Sequence, residues 1–264
     1  MGSLPSLPWQ DAAMTPQPPD EPFRSLFDDP ELEAVFARAS PADTLAAVLT
    51  EARMVLAEVD SPLDAELWGS DIVAALGSRS DQAEAIVAAA ERAGTPEALA
   101  TLRVLGAVGS PQLGAAASAG ADRLAAQGIS EPSWAASIGA PTPGQCWSYG
   151  DALGQQEAVT ITFWYGDRGH VLSVLLDHQQ GGGIKNVWVG ELGDVLDRTR
   201  QMSERDPRMI FEMITQADAR GRMNRAIAAG ECPEQPEEVG NVASRRAILM
   251  ARVALLNRGE GPAS

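Results

Sequence analysis

The chain contains two histidines, His170 and His178, and their spacing limits the chemistry that they can share. Both fall in one predicted strand, and their even separation of eight residues places them on the same face. At a rise of about 3.3 Å per residue, they lie roughly 26 Å apart along an unbroken strand. They therefore cannot bind one metal ion unless the strand bends back. His178 is the better candidate for chemistry, because it follows Asp177 and precedes the glycine run 181–183.

Two carboxylates, Asp151 and Glu157, lie just before the strand that precedes His170. If the two strands form a hairpin, residues near Glu157 pair close to His178. Carboxylates beside an imidazole suit a divalent metal ion or a general acid–base pair, whereas the simpler alternative is that these side chains only cap the strands. The sequence does not identify a particular metal or cofactor. The predicted site at this end of the sheet consists of Asp151, Glu157, Asp177, His178 and Lys185.

The sequence lacks the motifs that identify a catalytic nucleophile or a phosphate-binding loop. It has no G-x-S-x-G elbow, no P-loop and no H-E-x-x-H pair. Cys146 and Cys232 lie 86 residues apart, and neither belongs to a CxxC pair or stands at zinc-ligand spacing from a histidine. Two isolated cysteines are typical of a protein from a reducing compartment. Whether the chain is an enzyme stays open, and no catalytic residue is assigned.

The balance of charge makes nucleic acid an unlikely partner. The sequence has 36 acidic and 20 basic residues, a net charge of −16, whereas a nucleic-acid binder needs a basic face. Residues 1–139 carry 20 of the acids and 7 of the bases. An arginine-rich segment in the second half has three interpretations: a solvated helix face, a contact surface for the acidic half or a second subunit, and a site for an anionic ligand or nucleic acid. Its arginines are Arg198, Arg200, Arg205, Arg208, Arg220, Arg222 and Arg225.

A small antiparallel sheet is the clearest structural prediction. Residues 159–165 alternate with period two, and residues 166–169 have the composition of a turn. Residues 171–176 and 184–189 predict two further strands. Three strands alone bury too little apolar surface, so helices must cover them. Such helices are predicted over Glu191–Glu204, Pro207–Ala229 and Val239–Asn257.

The region before the sheet, residues 23–129, predicts irregular helical hairpins. Residues 1–22 hold six of the 18 prolines and predict a flexible tail, and the prolines of residues 130–144 predict a linker to the region 145–264. The predicted fold class is therefore α+β, a helical N-terminal region followed by a small antiparallel β-meander packed with C-terminal helices. Hydroxyl residues that can cap a helix stand directly before a proline at Ser40–Pro41, Ser61–Pro62, Thr95–Pro96 and Ser110–Pro111.

One uncharged stretch, Val104–Ala121, reaches the lower limit of length for a membrane-spanning helix. It contains four glycines and a proline, and most of its apolar residues are alanine. Such a segment is too weakly hydrophobic to be held in lipid, so we expect buried helices of a soluble protein and no membrane contact. The N-terminal segment has no basic start followed by an apolar core, as a secretory signal would. A cytoplasmic location is expected.

Three stretches of the sheet region carry a resemblance. Residues 150–157, 165–170 and 175–178 read GDALGQQE, YGDRGH and LLDH, and alanine-rich helices precede them. In these features the chain resembles an uncharacterised group of actinobacterial proteins with no established activity. The resemblance implies an origin and a sheet end that is common to the group, and it implies no catalytic role.

Two functions follow as hypotheses. The first is a non-enzymatic protein-interaction or regulatory factor, whose partner is another protein or the chain itself. It rests on the alanine-rich helices, the acidic N-terminal half and the proline-rich tail. The alternative is a small-molecule or metal-dependent enzyme with its site at the sheet end around Asp177 and His178. A nucleic-acid-associated factor that uses the arginine helices is a weaker third class, because the net charge opposes it.

Overall fold

The computed structural model describes residues 40–77, 80–193, 195–232 and 242–256. The predicted tail 1–22 and the start of the predicted helical region, residues 23–39, lie outside the described residues. Helices come before and after an antiparallel sheet, which confirms the α+β class.

From residue 40 on, where the described part of the chain begins, the N-terminal region has five helices, and four of them start at the predicted hydroxyl–proline pairs. Ser40 Oγ accepts a hydrogen bond from the Asp43 N–H at 3.3 Å, and Thr95 Oγ1 accepts one from the Ala98 N–H at 3.2 Å. The proline after each cap has no N–H to leave unsatisfied in the first turn. The helices are α1 (Pro41–Glu58), α2 (Pro62–Leu76), α3 (Ser80–Ala93), α4 (Pro96–Val108) and α5 (Pro111–Ala126).

Small residues allow these helices to pack closely. At Gly106 of α4, an added Cβ would lie 2.6 Å from Ser118 Oγ of α5, so a side chain there would require Ser118 to move. The uncharged stretch Val104–Ala121 covers the end of α4, a turn and most of α5. Among the described residues, no helix is both long and apolar enough to cross a membrane.

The described residues form a sheet of five antiparallel strands in the order β4-β3-β2-β1-β5. The three predicted strands are confirmed as β2, β3 and β4, with the β2–β3 turn at the predicted position. Two strands were not predicted: β1 begins inside the predicted linker, and β5 lies inside the helix predicted over 207–229. The strands are β1 (Thr142–Asp151), β2 (Gln156–Tyr165), β3 (Arg168–Asp177), β4 (Gly183–Glu191) and β5 (Met209–Ile214).

The helix predicted over 207–229 is therefore wrong in its first part. Residues 209–214 read MIFEMI, and they pair along their whole length with β1. Met209 is buried and Ile210 is exposed, the alternation of a strand. Pairing with β1 outweighs the good helix propensity of methionine and glutamate in this segment. The helix of this region starts only at Gln216.

Three further helices accompany the sheet: α6 (Val195–Arg205), α7 (Gln216–Ala229) and α8 (Val242–Leu256). One face of the sheet packs against α7 and α8, through Met223 of α7 and Leu249 and Val253 of α8. On the opposite face, Arg200 of α6 lies over the ring of Trp147, 5.6 Å from its centroid. Helices therefore cover the sheet, as we expected because its strands alone bury too little apolar surface.

A buried charged network joins α8 to α2 and to the sheet. Arg252 of α8 is fully buried and forms an ion pair with Glu66 of α2, which is also fully buried. Arg252 Nη2 donates to Tyr165 Oη at 2.9 Å, and Arg252 Nε donates to His170 Nε2 at 3.2 Å. Tyr165 Oη in turn donates to Glu66 Oε1 at 2.5 Å. The helical region and the sheet are thus connected by charges that would be costly to bury separately.

Candidate functional site

The register of the β2–β3 hairpin brings Glu157 and His178 together. Glu157 lies opposite Leu176, two residues before His178. The chain leaves the sheet at His178 in a short 3₁₀ turn, His178–Gln180. His178 Nε2 lies 3.4 Å from Glu157 Oε2, and 40% of the His178 side chain is exposed. These two of the five predicted site residues are in contact.

Asp151 does not join them, because its carboxylate binds the β1–β2 turn. Its Oδ1 accepts from the Leu153 N–H at 2.9 Å, and its Oδ2 accepts from the Gln156 N–H at 2.7 Å and the Gln155 N–H at 3.0 Å. Burial alone would raise the pKa of Asp151, but these backbone donors hold the pKa below its ordinary value. Asp151 therefore caps a turn, as the simpler alternative proposed.

Asp177 is also a capping residue. Its Oδ1 accepts from the Gln179 N–H at 3.0 Å and from the Gln180 N–H at 3.2 Å, and its Oδ2 accepts from Gln156 Nε2 at 3.1 Å. Burial raises the pKa of the nearby Cys232 thiol; Asp177 adds to this rise, and Lys185 opposes it. Asp177 and Lys185 thus lie near Cys232, and the hydrogen bonds of the Asp177 carboxylate go to Gln156, Gln179 and Gln180.

The Glu157 carboxylate has two partners that the sequence did not place in the site. Arg222 of α7 forms an ion pair with Glu157 Oε1 and also donates to Ser148 Oγ at 3.1 Å. Ser148 Oγ donates to Glu157 Oε1 at 2.6 Å. Arg222 Nη2 lies 3.8 Å from Glu212 Oε1 on β5. The result is one polar cluster, Ser148, Glu157, His178, Glu212 and Arg222, on the sheet face that α7 covers.

A cavity of about 470 Å³ opens beside this cluster, between the sheet end and α7. Its polar lining includes His178, Arg222 and Arg225, the last two on adjacent turns of α7. Gly181 and Gly182 form part of the wall with φ of +85° and +79°, a left-handed conformation that glycine adopts without strain. The complete lining is Glu157, Leu176, His178, Gly181, Gly182, Arg222, Arg225 and Ala226. We call this cavity the sheet-end pocket.

The pocket carries an excess of positive charge. Glu157 compensates Arg222, but Arg225 has no carboxylate partner among residues 40–77, 80–193, 195–232 and 242–256. Sequence reasoning assigned Arg222 and Arg225 to an arginine-rich segment with three open interpretations. Their spacing of three residues, which places two side chains on one helix face, was the available signal.

The arrangement does not match nucleophilic catalysis. In a Ser–His–acid triad the histidine accepts the serine proton, and the acid orients the histidine. Here Ser148 donates directly to Glu157, and His178 contacts the other oxygen of the same carboxylate. In the part of the chain that the structure describes, no group of three or more histidine, cysteine, aspartate or glutamate side chains could hold a metal ion.

The second histidine, His170, lies in the buried network and not in the sheet-end pocket. Its ring stacks on Phe163 and Tyr165, with centroid distances of 5.5 and 5.2 Å. Burial lowers the pKa of His170 to about 3, and the adjacent Arg252 cation adds to the fall. The imidazole is therefore neutral, with Nε2 as acceptor and the proton on Nδ1. The two histidines belong to separate clusters.

No protein-family model, no curated protein and no solved structure matches this chain. The resemblance to an actinobacterial group therefore stays a prediction. The function has to be argued from the sheet-end pocket and from the surfaces of the fold.

Proposed function

We propose that this chain is a non-enzymatic regulatory protein that binds a small anionic molecule in the sheet-end pocket. The observation that carries the proposal is the Arg225 guanidinium, which lines the pocket without a carboxylate partner in the described chain.

Both cysteines are free, and burial raises the pKa of Cys146 to about 11, so that its thiol is unreactive at neutral pH. This supports the cytoplasmic location expected from the sequence.

The charges of the pocket support an anion as its ligand. The whole chain has a net charge of −16, so a local surplus of arginine is unusual for this surface. A guanidinium presents N–H donors in a planar fork that matches the oxygens of a carboxylate or a phosphate. The exposed imidazole of His178 adds a further polar group on the opposite wall.

The size and the apolar part of the lining support a small molecule over a bare ion. Cavities of about 300–1,000 Å³ are typical of small-molecule sites, and this one measures about 470 Å³. Leu176 and Ala226 supply apolar wall beside the arginines. The ligand class is therefore a small carboxylate or phosphate ester with a short apolar portion.

Thermal unfolding in the presence of simple anions tests the proposal. The probes are inorganic phosphate, a phosphate monoester and a small carboxylate, each added to the wild type and to Arg225→Gln. We expect at least one probe to raise the unfolding temperature of the wild type, because a ligand that binds only the folded state stabilises it. Loss of an arginine contact to a charged ligand should weaken the affinity about tenfold to a hundredfold.

Arg220→Gln is the matched control, because it removes the same charge from the same helix at a residue outside the pocket lining. It should respond to the anion as the wild type does. An equal loss of response in both variants would mean a general salt effect, and it would contradict a site at Arg225. The absence of any response in the wild type to all three probes would contradict the ligand class.

An enzyme remains the second candidate, and one contact favours it. A carboxylate that orients an imidazole is the usual environment of an acid–base histidine, and Glu157 Oε2 lies 3.4 Å from His178 Nε2. Mass spectrometry of a responsive probe after incubation separates the two candidates. Conversion of the probe that is abolished in His178→Gln would favour the enzyme, whereas recovery of unchanged probe supports binding alone.

A further inference from the structure

Within the described residues, no strand or bridge pairs with the β5 edge of the sheet. The order β4-β3-β2-β1-β5 places β4 and β5 at the two edges. On β4, the segment after α7 covers part of the edge: Ile184 N–H donates to Gly230 O at 2.9 Å, and Cys232 N–H donates to Ile184 O at 2.8 Å. Within the described residues no comparable segment pairs with the outer side of β5.

The hydrogen bonds at the start of β5 identify which of its groups point outward. Ala152 N–H donates to Arg208 O at 2.7 Å, so these two residues form a hydrogen-bonded pair of the β1–β5 ladder. Bonded and non-bonded pairs alternate along an antiparallel ladder, so Ile210 and Glu212 are bonded to β1. The N–H and C=O groups of Phe211 and Met213 therefore point away from the sheet.

The outward groups have no partner in the described part of the chain. The Met209 N–H donates to Asp206 O at 2.9 Å, but no backbone or side-chain hydrogen bond is seen for the outward groups of Phe211 and Met213. The side chain of Ile210 is 51% exposed and that of Met213 is 64% exposed. Natural edge strands are commonly protected by charged side chains, proline or a bulge; residues 209–214 contain no proline and no bulge, and Glu212 is the one charged residue among them.

We propose that β5 pairs with β5 of a second copy of the chain, antiparallel and across a two-fold axis. This surface is distinct from the sheet-end pocket, and the proposal does not depend on the ligand. Pairing centred on Phe211 gives two reciprocal bonds between the Phe211 residues of both copies. Two further bonds run from Met213 N–H to Met209 O of the second copy. The two sheets thus become one sheet of ten strands.

The side chains favour this register and a second copy as the occupant. It places Phe211 opposite Phe211 and Met209 opposite Met213, on the face where Phe211 already stacks on Trp147 at 4.9 Å. Aromatic and apolar cross-strand pairs stabilise antiparallel strands. The alternative register, centred on Glu212, sets two carboxylates directly opposite one another, and like charges at that spacing are destabilising. Of these two registers, the one centred on Phe211 is therefore the self-complementary one.

Sedimentation velocity of the full chain, across a concentration series, tests the proposal with two variants. The wild type should shift from 27.8 kDa towards twice that mass as the concentration rises. Met213→Pro removes an outward N–H and leaves the bonds to β1 intact, so it should stay monomeric. Met213→Ala removes the same exposed side chain and keeps the N–H, so it should still associate.

Hydrogen exchange of the wild type gives a measurement that needs no variant. The amides of Phe211 and Met213 should exchange quickly at low concentration and more slowly at high concentration. Those of Ile210 and Glu212, bonded to β1, are the internal control and should be protected throughout. A wild type that is monomeric at its highest soluble concentration would overturn the proposal, as would a dimer that persists in Met213→Pro. Concentration-independent exchange at Phe211 would also overturn it and would leave β5 as an edge for an extended peptide of another protein.

Discussion

At the level of single residues, Arg252 stands out as a charged side chain among the largest that the structure describes as fully buried. It is fully buried together with its partner Glu66, and both lie between elements from distant parts of the sequence. Two charges are tolerated there because they neutralise each other and because Tyr165 and His170 satisfy further donors and acceptors. Removing one charge would leave the other unpaired away from water.

The first prediction is that Arg252→Met lowers the free energy of unfolding by about 3–5 kcal/mol, because Glu66 becomes an uncompensated buried charge. The double variant Glu66→Gln/Arg252→Met should recover part of the loss. Arg53→Met is the control: Arg53 pairs with Glu97 at 3.2 Å, but its side chain is 74% exposed, so the cost should stay below about 1 kcal/mol. Urea unfolding measures all three. Equal costs at Arg252 and Arg53 would contradict a buried ion pair.

The second prediction concerns pH and His170. Burial lowers the pKa of this histidine from 6.5 to about 3. The folded state thus keeps the ring neutral at pH values where the unfolded chain binds a proton. The stabilisation is complete above pH 6.5 and is lost as the pH falls towards 3, by up to about 1.4 kcal/mol per pH unit. The slope of the free energy of unfolding against pH should be smaller in His170→Gln, a substitution that keeps an acceptor for Arg252 Nε.

The slope is best measured between pH 6.5 and about 5, since most carboxylates titrate below that range. Urea unfolding at several pH values gives the free energy of unfolding for each protein. Leu153→Ala, an exposed substitution that removes no titratable group, is the control and should leave the slope as in the wild type. An unchanged slope in His170→Gln would show that another group is responsible.

At the level of elements, helix starts were the most predictable feature of the fold. A capping hydroxyl and a proline at the first helical position are local signals, so Ser40, Ser61, Thr95 and Ser110 could be assigned without knowledge of the packing. The same holds for the hairpin of β2 and β3. The alternation of apolar and polar residues and the turn composition are both local features of the sequence.

The third prediction follows from these caps. Thr95→Ala should lower the free energy of unfolding by about 1 kcal/mol, because the Ala98 N–H loses its acceptor at 3.2 Å. Thr50→Ala is the matched control inside α1. Thr50 Oγ1 donates to Ala46 O at 2.8 Å, a bond to a carbonyl that the helix already satisfies, so its loss should change stability by less than about 0.5 kcal/mol. Urea unfolding distinguishes them, and equal effects would contradict the capping role.

The missed elements show where local signals fail. β5 has a sequence that suits a helix or a strand, and its pairing with β1, about 60 residues earlier in the chain, decides between them. For the site, hairpin register was enough to place Glu157 near His178. Arg222 could not be placed, because its position depends on how α7 is rotated over the sheet, and the spacing of Asp151 gave no sign that backbone N–H groups of its own turn bind its carboxylate.

At the level of the whole molecule, α8 is the helix on which cooperative folding of the helical region with the sheet depends. It packs Leu249 and Val253 into the core of the sheet, while Ile248 N–H donates to Ser70 Oγ of α2 at 3.3 Å and Arg245 pairs with Asp71 at 2.7 Å. One helix thus packs into the apolar core of the sheet and is bonded through polar groups to α2 of the helical region. A substitution that loosens α8 against the sheet or against α2 should therefore lower the stability of both the sheet and the helical region.

The fourth prediction tests this coupling. Leu249 is 1% exposed and packs on the sheet side of α8. Leu249→Ala should cost about 2–5 kcal/mol through the cavity that it leaves. If the molecule unfolds as one unit, hydrogen exchange in α4 should accelerate by the same factor as in β3, about thirtyfold or more. The control is Leu153→Ala, since that side chain is 74% exposed and should change exchange in neither element. Acceleration confined to the sheet would instead mean that the helical region keeps its own stability, and that the Arg252–Glu66 contact joins two independent folding units.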